Sequence, residues 1–211
     1  MQLTISALLV KNAEMRIAIY VQHLLGAGHL VRSMALAEAL HQSGFDVLLL
    51  SGGFPVERGA GGYRYSQLPP TRAIEGDFTR LVDMQGHPVN DEWRNHRAAK
   101  LLKEVERFKP GLVITETFPF GRRQFRFELE PLIEWVKSRQ DVYLIASIRD
   151  VLQRRTESRD RQTLETISEF YDAVLVHADD RLFTLDASFP LSQEIEDKLI
   201  YTGYIHQPPS Y

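Results

Sequence analysis

The chain has 211 residues, of which 44% are apolar, enough for one α/β domain with a sizeable core. Its net charge of -3 argues against general nucleic-acid binding, because such domains are typically basic. The chain contains no cysteine, which excludes disulfides, zinc–thiolate sites and cysteine nucleophiles and favours a cytoplasmic location.

The first 14 residues are predicted to form a flexible N-terminal extension. Residues 3–10 are apolar but too short to span a bilayer, and no basic segment precedes them as in a signal peptide. Residues 15–203 are predicted to form one domain, and residues 204–211 the start of an interdomain linker. Apolar loops between residues 54 and 90 would permit peripheral contact with the inner membrane, although no basic amphipathic helix supports it.

Along the chain, apolar runs that predict strands alternate with segments that predict helices. The predicted strands are Arg16–Gln22, Asp46–Ser51, Tyr63–Gln67, Leu112–Thr115, Val142–Ala146, Ala173–His177 and Leu199–Thr202. The predicted helices are His29–Gln42, Glu92–Phe108, Gln124–Ser138, Ser158–Phe170 and a last one that ends at Ile195–Lys198. This alternation predicts right-handed βαβ units in an open parallel sheet, which is a Rossmann-like α/β fold.

Two stretches interrupt this regular pattern. Residues 52–91 are rich in glycine and proline, and apart from the short strand at Tyr63–Gln67 they are predicted to form loops. Pro131 lies inside the helix predicted at Gln124–Ser138, so that helix is expected to kink or restart with the proline in a first turn.

Open parallel sheets bind ligands outside the carboxyl ends of their strands, so candidate site residues are those that follow each predicted strand. These positions are occupied mainly by polar, glycine and ionisable residues. They include Gln22, His23, Gly26, Gly28, His29, Ser51, Gly52, Gly53, Glu116, Thr117, Gly121, Arg122, Arg123, Ser147, Arg149, Asp150, His177, Asp179 and Asp180.

The turn Gly26-Ala27-Gly28-His29 is the most specific of these features. Glycines let a ligand approach the backbone, and the amides at a helix start favour an anion. His29 is expected to be neutral beside the positive end of the helix dipole, and a neutral imidazole can accept a proton from a substrate hydroxyl. The alternative is a plain strand–helix turn with a capping histidine.

Nucleotide-cofactor and metal motifs are missing from the sequence. Val31 stands where a dinucleotide fingerprint has its third glycine, and the second strand ends in Ser51-Gly52-Gly53 rather than in an acidic residue. No P-loop or HExxH motif occurs, and the seven histidines lack metal-ligand spacing. We therefore expect neither a cofactor nor a metal.

Charged residues after the later strands are further candidates. Arg122 and Arg123, with Arg126 one turn on, are predicted to hold a phosphate or carboxylate, although a solvated basic face would have the same sequence. Glu116 is a candidate for binding acceptor hydroxyls or for acid–base chemistry, or it pairs with an arginine. Arg149 and Asp150 are candidate substrate-binding residues, and Asp150 could equally cap the next helix.

Two other positions are expected to be structural. His177 ends a buried-looking strand and is expected to be hydrogen-bonded there. Arg154 and Arg155 are predicted to lie on the surface.

The stretch from Gly26 to Leu40 resembles the GxGHxxRxxxLAxxL signature of MurG-like glycosyltransferases with the GT-B fold, which a nucleotide-sugar hydrolase of pseudaminic acid synthesis shares. Three later motifs resemble a bacterial group of predicted glycosyltransferases. They are Glu116-Thr117-Phe118-Pro119-Phe120-Gly121-Arg122-Arg123, Ser147-Ile148-Arg149-Asp150 and Tyr201-Thr202-Gly203-Tyr204. The resemblance runs in order from Arg16 to Ile205.

The resemblance implies two Rossmann-like domains that face each other across a cleft, the first binding the acceptor and the second the nucleotide sugar. It implies metal-independent transfer in which His29 is the catalytic or acceptor-binding residue and Gly26 and Gly28 form its loop. This sequence ends where the donor domain should begin, so that domain is expected in cis or in trans. The alternatives are a nucleotide-sugar hydrolase and a non-catalytic acceptor-binding subunit of a split glycosyltransferase.

Overall fold

The computed structural model describes residues 15–57, 61–74, 77–153 and 155–205. Its strands in chain order are β1 (Arg16–Val21), β2 (Asp46–Ser51), β3 (Arg64–Gln67), β4 (Arg72–Ile74), β5 (Asp77–Val82), β6 (Leu112–Glu116), β7 (Tyr143–Arg149), β8 (Ala173–His177) and β9 (Leu199–Tyr201). Its α-helices are α1 (Gly28–Gln42), α2 (Asp91–Phe108), α3 (Arg126–Lys137) and α4 (Glu157–Phe170), and short 3₁₀ segments lie at Arg123–Phe125, Leu185–Ala187 and Pro190–Lys198.

Seven strands form one parallel sheet in the order β3-β2-β1-β6-β7-β8-β9, which confirms the predicted open α/β fold. From β1 the chain first builds outwards through β2 and β3, and it later returns to place β6 on the other side of β1. The strand order therefore reverses between β1 and β6. In open α/β sheets this reversal point is where the loops diverge and leave a crevice at the carboxyl edge.

Both faces of the sheet are covered, which explains why its strands are nearly continuous apolar runs. Alternate residues of β1 point to opposite sides: Ile17 and Ile19 pack with α1, whereas Ala18 and Tyr20 pack with α2, α3 and α4. The central strands are almost completely buried. The residues at the carboxyl edge of this sheet are consequently held by a fully packed core.

Three details differ from the sequence predictions. The region 52–91 contains an antiparallel hairpin of β4 and β5 in addition to β3. Helix α3 is continuous, and Pro131 lies in its second turn, where the missing N–H removes one hydrogen bond without restarting the helix. Arg155 is not on the surface, because its side chain donates to Phe120 O (2.6 Å) and pairs with Asp160 (3.0 Å).

The predicted extension at residues 1–14, Arg154, and residues 206–211 of the predicted linker lie outside the described residues. Within the described ranges, no helix combines the length and apolar character needed to cross a membrane.

Candidate functional site

His29 and Glu116 meet at the carboxyl edge of the sheet between β1 and β6, where open α/β sheets form their ligand crevice. His29 is the second residue of α1, and Glu116 is the last residue of β6. His29 Nδ1 lies 3.1 Å from Glu116 Oε1 although 87 positions separate the two residues. The carboxylate is buried, with 2% of its side chain exposed, whereas 28% of the histidine side chain is exposed. The pair thus has a buried acidic end and a solvent-facing imidazole.

Glu116 is held in its ionised form. Burial alone would raise its pKa, but the hydrogen bond from His29, the charge of Arg32 and the hydrogen bond from Ser147 lower the pKa to about 2 from an ordinary 4.5. Arg32, one turn after His29 on α1, donates from Nη2 to the same Oε1 oxygen. Ser147 Oγ donates to the other oxygen at 2.5 Å. These contacts favour the ionised form of Glu116 near neutral pH, and an acid–base role for it stays a prediction.

The ionised carboxylate fixes the tautomer of His29. A carboxylate only accepts hydrogen bonds, so Nδ1 must carry the proton that it donates to Glu116. Nε2 of a neutral imidazole is then left with its lone pair. Within the described residues Nε2 has no hydrogen-bond partner, and the ring is partly exposed. An imidazole held in this way by a buried carboxylate is suited to accept a proton from a ligand.

A strained turn follows Glu116 directly. Thr117 adopts φ +71°, a left-handed conformation that a β-branched residue rarely occupies and that costs roughly 1–3 kcal/mol. The conformation is held by the hydrogen bond from Thr117 N to Ser147 O (2.8 Å), and it brings Thr117 Oγ1 to 3.2 Å from His29 Nδ1. Strain of this kind is concentrated at functional sites, so the turn supports the same location.

Arg122 and Arg123 diverge. Arg122 is half-buried and donates from Nε to Gln22 O (2.7 Å) beneath the β1 loop. Burial lowers the pKa of Arg122, and the charge of Glu116 opposes that shift, so the guanidinium lies close enough to Glu116 to interact with its charge. Arg123 instead contacts Gln162 of α4 on an exposed face. The two arginines thus have different surroundings, and anion binding by either of them stays a prediction.

Arg149 and Asp150 lie at the same edge of the sheet but make no direct contact with His29 or Glu116 within the described part of the chain. The side chain of Arg149 is 57% exposed and pairs with Asp150 at 3.3 Å. Asp150 accepts from Val151 N (2.8 Å), so it caps a local turn and not α4, whose N-cap is Thr156. Both remain candidates for contacts at the outer part of the crevice.

The glycines near the site fall into two kinds. An added Cβ at Gly53 would overlap the ring of His23, so that glycine is needed for internal packing. At Gly26 and Gly28 a Cβ would meet nothing within 4 Å, and neither residue has positive φ. The packing of the described residues therefore gives no reason for glycine in the turn. Helix α1 starts there with Ala27 as N-cap, without a side-chain cap or an acidic residue in its first turn.

A second network, centred on Arg97 of α2, was not predicted from the sequence. Arg97 is fully buried and donates to both carboxylate oxygens of Glu128 on α3 (2.7 and 2.8 Å) and to Gln22 Oε1 (2.5 Å). Its Nη1 donates to the carbonyls of Gly52 (2.9 Å) and Pro69 (2.8 Å), so all five N–H groups are used. Through Gln22 and Gly52, this network holds the loops after β1 and β2 in place.

A cavity of about 1090 Å³ lies apart from this crevice, between the end of β8 and the 3₁₀ segment Pro190–Lys198. Its lining includes the carboxylates of Asp180, Asp186, Glu196 and Asp197. That lining would repel an anionic ligand. No cluster of three or more potential metal-binding side chains occurs among the described residues.

No family model matches the chain, and no curated protein matches its sequence. Solved structures do share its fold. A glycosyltransferase from Rickettsia africae is 11% identical with a TM-score of 0.51, over 89% of this chain and 42% of that one. UGT2 from Phytolacca americana is 14% identical with a TM-score of 0.54, over 93% and 53% respectively. A UDP-glucosyltransferase from Polygonum tinctorium is 10% identical with a TM-score of 0.51, over 92% and 53%.

The chain therefore spans about half the length of these glycosyltransferase structures. Its seven-stranded parallel sheet corresponds to one Rossmann-like domain of the GT-B fold. At these identities the likeness establishes the fold.

Proposed function

We propose that this chain is the acceptor-side half of a glycosyltransferase that moves a sugar from a nucleotide diphosphate to an acceptor hydroxyl. One observation carries the proposal: His29, oriented by the buried Glu116 at the strand-order reversal, is partly exposed, and its Nε2 has no hydrogen-bond partner among the described residues. The likeness of the fold to one half of GT-B glycosyltransferases supports it.

In the proposed reaction His29 is the general base. As the acceptor oxygen bonds to the anomeric carbon of the sugar, its proton passes to Nε2 of His29. The bond from that carbon to the diphosphate breaks, and its electron pair leaves with the nucleoside diphosphate. Glu116 Oε1, 3.1 Å from His29 Nδ1, then pairs with a charged imidazolium. This pairing is stronger after proton transfer than before it.

The open turn before α1 supports a role in stabilising negative charge. Gly26 and Gly28 leave space that the described residues do not fill, and the first amides of α1 have no side-chain cap among them. Amides at a helix start and the nearby guanidinium of Arg122 favour the charge that develops on a departing diphosphate. The nucleotide would be held mainly by a second, donor-binding domain in cis or in trans.

The test compares three variants of the chain combined with its donor-binding half. His29→Ala removes the base, and Glu116→Gln removes the charge that orients it while preserving size. We expect both to lower turnover by about 10²–10⁴-fold. His41→Ala, near the end of the same helix, is the matched control and should retain turnover.

The assay follows release of UDP or GDP from UDP- and GDP-sugars, with a melting curve for each variant to show that it is folded. Product analysis separates transfer from hydrolysis, since free sugar formed without any acceptor means that water is the acceptor. Unchanged turnover in a folded His29→Ala variant would remove the proposed mechanism.

A further inference from the structure

A chain of hydrogen bonds continues from Glu116 along the carboxyl edge of the sheet, away from His29. Glu116 Oε2 lies 2.5 Å from Ser147 Oγ, which lies 2.9 Å from His177 Nε2. His177 Nδ1 in turn lies 2.7 Å from Thr202 Oγ1, directly after β9. Glu116 and Ser147 are paired across β6 and β7, and His177 ends β8, so the chain crosses four neighbouring strands.

The protons in this chain have one consistent direction. Ser147 has a single hydroxyl proton, and it donates this proton in its hydrogen bond to the ionised Glu116. Ser147 Oγ can then only accept from His177, so Nε2 of His177 carries a proton. Burial lowers the pKa of His177 to about 4 from 6.5, an effect that Glu116 opposes and Arg32 reinforces. His177 is therefore neutral near pH 7, and its Nδ1 accepts from the Thr202 hydroxyl.

The two oxygens of Glu116 thus have separate partners. Oε1 accepts from His29 and Arg32 of α1 and from the Thr117 hydroxyl (3.3 Å), whereas Oε2 accepts from Ser147 of β7. The terminal torsion of a glutamate is broad, so a carboxylate held on one oxygen only can rotate. With both oxygens bound, the rotation is fixed and Oε1 is kept in line with His29 Nδ1. The other charged group near this carboxylate is Arg122, from the loop after β6.

We infer that Ser147 and His177 are positioning residues that orient the ionised Glu116 and, through it, His29. Neither needs to touch the substrate. The inference depends on the proposed role of His29 only where it predicts an effect on turnover. The orientation and ionisation of Glu116 can be measured on the chain without any substrate.

The first experiment is NMR on the 211-residue chain. In ¹⁵N-labelled protein we expect a protonated Nε2 and an unprotonated Nδ1 at His177 near neutral pH. The Glu116 carboxyl signal, assigned with Glu116→Gln, should titrate at higher pH in Ser147→Ala than in the parent chain. Ser51→Ala is the matched control, because Ser51 is also a buried strand serine of the same sheet but its Oγ has no partner among the described residues.

The second experiment measures turnover of the chain with its donor-binding half, using UDP- and GDP-sugars. Loss of one hydrogen bond to a charged group predicts about a tenfold or larger fall in kcat for Ser147→Ala, with little change in KM. Ser147→Thr restores the hydroxyl and should recover most of the loss. His177→Gln retains an N–H donor, so it should be more active than His177→Phe.

The proposal is overturned if Ser147→Ala titrates Glu116 as the parent does, or if His177 carries its proton on Nδ1. It is also overturned if Ser51→Ala shifts the Glu116 titration equally. If Ser147→Ala does not fold, His177→Phe and His177→Gln decide by the same titration. If His29→Ala is inactive but Ser147→Ala is fully active, only this inference is wrong. If His29→Ala is active, the proposed function is wrong, and the NMR result still tests the orientation of Glu116.

Discussion

Replacing Arg97 should destabilise the domain far more than replacing any surface arginine. Arg97 and Glu128 are both completely buried, and the guanidinium also lies over the rings of Trp93 (5.4 Å) and Phe125 (5.2 Å). Burial alone would lower the pKa of Arg97, but the charge of Glu128 raises it, so the guanidinium stays charged. Arg97→Met fills a similar volume but leaves the buried carboxylate without its counter-charge.

The expected cost follows from the contacts that are lost. Oε2 of Glu128 loses its partner and Oε1 keeps only Tyr20 OH, while Gly52 O, Pro69 O and Gln22 Oε1 also lose a donor. Breaking a buried ion pair in this way costs about 3–5 kcal/mol, a large part of a typical domain stability of about 5–15 kcal/mol. For a domain of this size, that corresponds to a fall in Tm of roughly 6–20 °C.

The assay is urea unfolding followed by circular dichroism, together with calorimetry for Tm. Arg94→Met is the matched control on the same helix, since Arg94 pairs with the exposed Asp91 at 3.0 Å and should cost no more than about 1 kcal/mol. The double variant Arg97→Met/Glu128→Gln should recover part of the loss, because it removes the unpaired charge. A loss in Arg97→Met no larger than in Arg94→Met would refute the reasoning.

Two further predictions concern charge at the crevice. Because the pKa of His177 is lowered, its contribution to the free energy of unfolding is complete above pH 6.5 and falls by about 3 kcal/mol as the pH drops to about 4. The low pKa of Glu116 adds a similar loss between pH 4.5 and about 2. Urea unfolding across this pH range measures both losses. In His177→Phe the free energy of unfolding should depend less on pH between 6.5 and about 4, and an unchanged slope there would contradict the assignment. Arg122→Ala should weaken UDP binding to the chain with its donor-binding half, measured by calorimetry, whereas Arg123→Ala should not. Equal losses would show that both arginines reach the ligand.

Local pattern was sufficient to predict most elements. The strands Asp46–Ser51 and Ala173–His177 have the predicted bounds, because each is an apolar run bordered by polar or turn residues. The hairpin of β4 and β5 was missed because β4 has three residues and the outer part of β5, including Phe78, is exposed. Neither strand has the alternation or apolar run that a strand prediction needs.

The components of the site were predictable, but their contacts were not. His29 lies after β1 and Glu116 ends β6, and only the placement of β6 beside β1 brings them together, which no local pattern specifies. Arg97 carries a weak signal, since it lies four residues before Leu101 on the buried stripe of α2. A charge in that position requires a buried partner, and the partner, Glu128, is on another helix.

Gln22 joins the two buried networks. Its side chain accepts from Arg97, and its carbonyl accepts from Arg122, so the start of the loop after β1 is fixed from both sides. Beyond Leu24 the same loop is exposed, and Leu25 is 57% exposed. A site organised in this way keeps its charged groups in place before any ligand arrives, which is what electrostatic preorganisation requires.

The consequence is a division between the inner and outer parts of the crevice. A carboxylate with a pKa of about 2 and a full set of partners cannot rearrange cheaply to suit different ligands. In the proposed transferase, adaptation to a particular acceptor must then come from the exposed rim, where Leu25 and Val31 flank the glycine turn and are 57% and 43% exposed. Substitutions at Leu25 and Val31 should therefore change which acceptor binds, whereas substitutions at Glu116 should change how fast any bound acceptor reacts.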